Sequence, residues 1–260
     1  MRIPIYQIDA FTGKVFGGNP AAVCPLPAWI DAALMQSIAA ENNLAETAFI
    51  VRDGDDYQLR WFTPTVEMDL CGHATLASGF LIFKKLEPRR TRVTFHSKSG
   101  PLYVSVDREL LSLDFPSWPA HAADPPAALR AALGGSPLEF LQARDWLVVY
   151  ESESAVRALE PNFRDLAKAE GGSGVIATAA GSNSDFVSRF FAPAHGIDED
   201  PVTGSAHCTL TPYWSKRLNK ASLRALQISQ RGGELFCQDR GDRVTISGRA
   251  SLYLEGEISV

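Results

Sequence analysis

A chain of 260 residues, 45% hydrophobic and 21% charged, is long enough for one large folding unit or two smaller ones, each with a sizeable core. A formal net charge of −5 leaves no basic face to neutralise phosphates, which excludes nucleic acid as a partner. Residues 1–5 carry one positive charge and no long apolar core, and the most apolar stretch, 75–83, is too short to span a membrane. With four single cysteines and no C-x-x-C pair, the expectation is a cytoplasmic protein with reduced thiols and no membrane partner.

Residues 3–10 read as a strand, followed by a loop over 11–20 rich in turn residues and a second short strand at 21–24. Ile30, Leu34 and Ile38 recur at spacing four and predict a helix over 29–41. Strands at 47–52 and 57–62 flank the turn Asp53-Gly54-Asp55. The stretch 73–86 is apolar nearly all round, which predicts a buried helix. Strands follow at 92–97, 102–107 and 110–114.

Phe115-Pro116-Ser117-Trp118-Pro119 punctuates the middle and divides the chain into an N-terminal domain, 1–115, and a C-terminal domain, 116–249. The second half reads as short helices at 127–133 and 154–159, another after Pro161, and strands at 175–178, 185–191, 226–229, 234–238 and 243–247. A second buried helix runs from Ser205 towards Leu218, and Pro212 inside it predicts a kink or break. A final strand, within 250–260, is expected to return to the first domain. The pattern is α+β: each half is a mostly antiparallel, strongly curved sheet around one helix.

The chain also repeats itself. Arg60-Trp61-Phe62-Thr63-Pro64 is echoed by Arg189-Phe190-Phe191-Ala192-Pro193, 129 residues on. Cys71-Gly72-His73-Ala74 is echoed by Thr203-Gly204-Ser205-Ala206 after 132 residues, and Ser99-Gly100-Pro101-Leu102 by Gly232-Gly233-Glu234-Leu235 after 133. In each copy a strand gives way to a loop and then to a glycine turn that opens a buried helix. A helix N-terminus exposes unpaired N–H groups and the positive end of its dipole, and glycine lets a ligand approach the backbone. Two such ends facing each other make a clamp for a carboxylate or a developing enolate.

The differences between the copies are where chemistry is expected. The first turn offers Cys71 and His73, the second Thr203 and Ser205, with Asp200 three residues ahead. A thiol at a helix start is expected to have a lowered pKa. Glu46 exists once: the second half reads Gly172-Ser173-Gly174-Val175 where an acid would stand. An acid between a helix and a strand, beside apolar neighbours, is a candidate general base. Each residue also has a plainer role: Asp200 as a cap, Cys71 as a small buried hydrophobe, His73 as packing, Glu46 as a surface acid. The five histidines show no metal-ligand spacing, so no metal is expected.

The set Ile8-Asp9-Ala10-Phe11, Gly18-Asn19-Pro20-Ala21-Ala22-Val23, Asn43-Leu44-Ala45-Glu46-Thr47-Ala48-Phe49, Cys71-Gly72-His73-Ala74-Thr75 and Asp200-Pro201-Val202-Thr203-Gly204-Ser205-Ala206-His207 resembles the PhzF-like family of phenazine biosynthesis. That family lies within the diaminopimelate-epimerase-like fold superfamily. The resemblance implies two similar domains, each a barrel-like sheet around a central helix, with an active site between them. It implies no cofactor and no metal, a small carboxylate substrate, and a homodimer. Glu46 matches the glutamate that shuttles a proton in the family's phenazine enzyme, with His73 and Asp200 assisting it. Asn19 matches the asparagine of a loop that borders the site, and Ser205 a helix-start serine; with Cys71, Gly72, Thr203 and Gly204 of the two turns they are the expected substrate-binding residues. Epimerases of this fold carry a cysteine at each helix start; here Cys71 fills one position and Thr203 the other, which argues against two-thiol racemisation.

The expectation is therefore an isomerase that moves a proton on a small amino-acid-like or cyclic carboxylate without a cofactor. Two alternatives stand beside it: an epimerase or dehydratase with Cys71 as base, and a non-catalytic carboxylate-binding protein.

Overall fold

The computed structural model describes residues 1–169 and 174–260, and the chain divides into two compact units. The first comprises Met1–Asp114 and Ser247–Val260, the second Phe115–Ile246. Both are α+β.

In the first unit, β1 (Arg2–Ala10) runs antiparallel to β2 (Asn19–Leu26), and β2 runs parallel to β3 (Glu46–Asp53). A parallel step needs a crossover, and α1 (Ala32–Asn42) supplies it. β4 (Asp56–Phe62) returns antiparallel through a hairpin whose Gly54 has φ +60°, and pairs with the short β5 (Glu67–Met68). The second crossover is α2 (Gly72–Leu81), which sets β6 (Arg92–Ser97) parallel to β4. β7 (Gly100–Asp107) and β8 (Leu110–Pro116) follow as a meander. The C-terminal strand Ala250–Ser259 pairs with β1 along its whole length.

The two crossovers explain why β2 and β3 are buried along most of their length. Met35, Ile38 and Ala39 of α1 pack with Ile3, Ile5, Ala22, Cys24, Phe49 and Val51. The alternate residues, Ala48 and Ile50, point to the opposite face, against which α2 lies. α2 packs on β1, β2, β3 and β7, so the sheet bends around it, and every residue from His73 to Gly79 is buried. Gly79 permits the last of these contacts: a Cβ there would come 2.7 Å from Val104 Cγ1 of β7. The long helix expected over 73–86 instead ends at Leu81 and continues as one π-helical turn, Ile82–Leu86, closed by Glu87 N–H to Ile82 O at 2.7 Å.

The second unit repeats the pairing plan. β9 (His121–Ala122), β10 (Glu139–Gln142) and β11 (Trp146–Val149) are antiparallel neighbours. β12 (Val175–Ala180) is parallel to β11, β13 (Phe186–Ala192) antiparallel to β12, and β14 (Ile197–Asp200) antiparallel to β13. β15 (Ser222–Gln227) is parallel to β13, with β16 (Gly233–Asp239) antiparallel to it and β17 (Arg243–Gly248) next in the chain. Helices α3 (Ala127–Leu133), α4 (Glu153–Arg157) and α5 (Phe163–Ala169) cover a core of Leu133, Trp146, Val148, Val175, Ala177 and Phe191.

The buried helix of this unit, α6 (His207–Leu218), runs through Pro212 without the break that the sequence allowed. Proline cannot donate to the carbonyl four residues back. Here that carbonyl, Cys208 O, accepts the Trp118 N–H at 2.9 Å, so the orphaned acceptor is satisfied from outside the helix. The expected start also shifts, from Ser205 to His207. Among the described residues no helix is long and apolar enough to cross a membrane.

Candidate active site

The first unit brings four of the sequence candidates together. α1 stops at Asn43, whose left-handed backbone (φ 47°) lets its N–H reach Ala39 O and turns the chain into β3. Glu46 therefore stands at the head of β3, opposite Ala21 of β2 and two residues from Asn19 in that strand's register. Cys71 caps α2 with an extended backbone, and His73 lies one residue inside the helix. His73 Nε2 is 3.1 Å from Glu46 Oε2, while Nδ1 lies 3.5 Å from Cys71 Sγ and 3.3 Å from Asn19 Nδ2. All four side chains are buried, with residue exposures of 0–9%.

Electrostatics follow from that burial. Burial alone would lower the His73 pKa, but its contacts with Cys71 and with the Glu46 carboxylate outweigh this and hold it well above 6.5. The imidazole thus favours its positive form, and its Nε2 faces the Glu46 carboxylate as an ion pair at 3.1 Å. The Cys71 thiol is pushed up, by burial first and by the Glu46 charge second. His73 and the Ala74 N–H pull the other way and do not win. This corrects the expectation that the helix start lowers the thiol: desolvation exceeds the dipole at a sulfur that water barely reaches.

The second unit organises Asp200, Thr203, Gly204 and Ser205 differently. Thr203 Oγ1 donates to Asp200 Oδ2 at 2.5 Å and accepts from Gln227 Nε2 at 3.2 Å. Its hydroxyl is committed, so Thr203 holds Asp200 in place and does not replace the missing second thiol. Gln227, fully buried at the end of β15, also accepts the Thr203 N–H and donates to Asp200 O, both at 2.8 Å. His207 donates from Nδ1 to Thr203 O at 2.9 Å, and burial lowers its pKa to about 4, so it stays neutral. The N–H groups of His207 and Cys208 turn back onto Gly204 O and Ser205 O, both at 3.0 Å. What remains to meet an anion is the pair of N–H groups on Gly204 and Ser205, which have no partner among the described residues.

The sequence reading passed over Gln227 and gave His207 no role. Gln227 has no local signature, since its partners lie 24 to 27 residues away. His207 was legible in hindsight, because its counterpart Thr75 makes the same bond, Oγ1 to Cys71 O at 2.5 Å. Other supports recur too. Arg60 grips Glu67 with two bonds of 2.7 and 2.9 Å, and Arg189 grips Glu199 with bonds of 2.7 and 2.8 Å. Ser99 Oγ donates to Asp69 O and Ser229 Oγ to Pro201 O, each at 2.7 Å. Of the segment facing Glu46 in the repeat, Gly172 and Ser173 lie outside the described residues. Gly174 is described, and a Cβ on it would run into the Phe190 ring.

Residues 8–256 match the family model for phenazine biosynthesis-like proteins. An uncharacterized isomerase of Pseudomonas aeruginosa is 52% identical over 259 residues, covering 99% of both chains. A PhzF-family crystal structure from Enterococcus faecalis superposes with a TM-score of 0.97 at 47% identity, covering all of both chains. A predicted epimerase from Pseudomonas aeruginosa shares the fold, with a TM-score of 0.75 at 19% identity over 99% of each chain.

Proposed function

Since the chain belongs to the phenazine biosynthesis-like family, we propose that it is an isomerase in which Glu46 carries a proton between two atoms of a small carboxylate substrate. The observation that carries this reading is the buried pair Glu46 Oε2–His73 Nε2 at 3.1 Å. A carbon-bound proton needs a positioned base and a stabilised enolate-like product. His73, 3.1 Å away, orients the Glu46 carboxylate. The helix-start N–H groups of Gly72 and His73, which have no partner inside α2, meet the negative charge that develops. In the second unit, Asp200, fixed by Thr203 and Gln227, and the Gly204 and Ser205 amides are assigned to the same reaction by the family resemblance.

A second reading makes Cys71 the base. Its contact with His73 Nδ1 at 3.5 Å favours participation, whereas its raised pKa keeps the thiol protonated at neutral pH and opposes it. The two readings separate in heavy water. Wild type, Glu46→Gln and Cys71→Ser are incubated with a panel of cyclic and acyclic amino and hydroxy acids, and deuterium uptake is read by mass spectrometry. Exchange lost in Glu46→Gln and retained in Cys71→Ser supports the first reading. The reverse pattern transfers the chemistry to the thiol, and equal carboxylate binding by wild type and Glu46→Gln, with exchange in neither, supports a carboxylate-binding protein.

A further inference from the structure

We propose that Cys71, His73 and Glu46 form a binding site for a divalent cation of the zinc class, and that the bound ion blocks proton transfer at Glu46. The blocking rests on the isomerase reading above; the binding does not. Histidine spacing in the sequence does not show this site, because its ligands are of three residue types drawn from two elements. One ligand atom from each residue lies within 4.8 Å of the others. Thiolate sulfur, imidazole nitrogen and carboxylate oxygen are the three donors that zinc favours.

One of the three edges already suits a tetrahedral ion. Bonds of about 2.3 Å to sulfur and about 2.0–2.1 Å to nitrogen, at a tetrahedral angle, place the two ligand atoms about 3.5–3.6 Å apart. Cys71 Sγ and His73 Nδ1 are 3.5 Å apart. The other two edges, each within 4.8 Å, must shorten to about 3.3–3.5 Å, so the Glu46 carboxylate has to swing from Nε2 towards the Nδ1 side on its three rotatable bonds. The charges also balance: thiolate and carboxylate together offset a divalent ion in a site with little water. Binding displaces the Cys71 thiol proton and the His73 Nδ1 proton to solvent. Three protein ligands leave the fourth position open to water or to a substrate carboxylate. Among the described residues, Cys24, Cys208 and Cys237 belong to no such group.

The test titrates apo protein, prepared with a chelator, with Co²⁺ as a spectroscopic probe and then with Zn²⁺ against a chromophoric competitor. The expected result is a thiolate-to-cobalt charge-transfer band, one ion per chain, absent in Cys71→Ser. Zinc affinity should fall at least 10-fold in Cys71→Ser, His73→Gln and Glu46→Gln, while His121→Gln, on the exposed surface, matches wild type. Zinc binding to the unmodified chain should release about two protons, read with a pH indicator, which covers any variant that fails to fold. A cobalt spectrum without the thiolate band, or zinc binding without proton release, overturns the site. Equal zinc affinity in all variants does the same. Deuterium exchange run with chelator and then with zinc separates the two claims. Exchange without metal that zinc does not suppress overturns the blocking alone, and absent exchange beside normal zinc binding overturns only the isomerase reading.

Discussion

The two glycine turns are built with the same supports and carry different chemistry. In both, an arginine two residues before a phenylalanine grips a glutamate with two hydrogen bonds and lies over that phenylalanine ring, at 5.2 Å for Arg60 and 4.9 Å for Arg189. In both, a serine hydroxyl holds the carbonyl of the loop, and the side chain four residues past the turn's first residue holds that residue's carbonyl. The contrast lies at the strand heads. Thr47 pairs with Phe62 and Val175 with Phe191, so Glu46 and Gly174 are equivalent positions. One holds a buried carboxylate against an imidazole, and the other is a glycine pressed by the Phe190 ring. On the proposed reading, the duplicated scaffold keeps its acid–base centre in one copy and leaves the other to frame an anion.

The largest expected effect breaks the comparison at its active side. Glu46→Gln keeps the shape and removes the base, and substrate-dependent deuterium exchange should fall by about 10²–10⁴-fold. A loss under 10-fold would return Glu46 to a structural role. The next concerns acid. His207, lowered to about 4 against an ordinary 6.5, stabilises the fold as a neutral ring. That contribution is complete above the unfolded pKa and is lost as pH falls through about 4. It amounts to about 3 kcal/mol. Thr75 does the same work in the first turn without titrating. His207→Thr should therefore flatten the difference in urea stability between neutral and acid pH, and an unchanged pH dependence would place the acid sensitivity elsewhere.

Much of this was legible in the chain, for physical reasons. The repeat announced the two turns because tight turns and buried helix starts constrain residue type locally, and Glu46, Cys71 and His73 stand inside such segments. Strands β10 and β11 were missed because four-residue strands leave too few alternations to read. The continuity of α6 was illegible for a different reason: the N–H that compensates Pro212 comes from Trp118, distant in sequence. Gln227 was hidden in the same way, since a lone glutamine acquires its role only when β15 meets the turn. The Cys71 pKa was misread because the helix start is visible in sequence and the depth of burial is not.

The strand head that carries glycine where the other carries the acid can be tested by size. Gly174→Ala forces a methyl against Phe190 and should cost about 1–3 kcal/mol in urea unfolding, the usual penalty of overpacking. Phe190→Leu in the same chain should recover part of it, since the two residues share one contact. A neutral Gly174→Ala would mean that the ring moves freely and that the second strand head could accept a side chain.

The smallest effect sharpens the likeness between the units. Lysine cannot make a two-pronged bond to a carboxylate, so Arg60→Lys should cost about 1 kcal/mol, moderated because the pair is partly exposed. Arg189 does more than Arg60: its Nη1 also donates to Leu159 O at 2.7 Å, tying the strand to the segment after α4. Arg189→Lys leaves that buried-side carbonyl without its donor as well, and should cost about 1–2 kcal/mol more. Urea midpoints of the two variants, measured side by side, decide the matter. Equal losses would show that only the shared glutamate grip matters, and a larger loss at Arg189 would show that the second unit recruited the same arginine to hold its added helices.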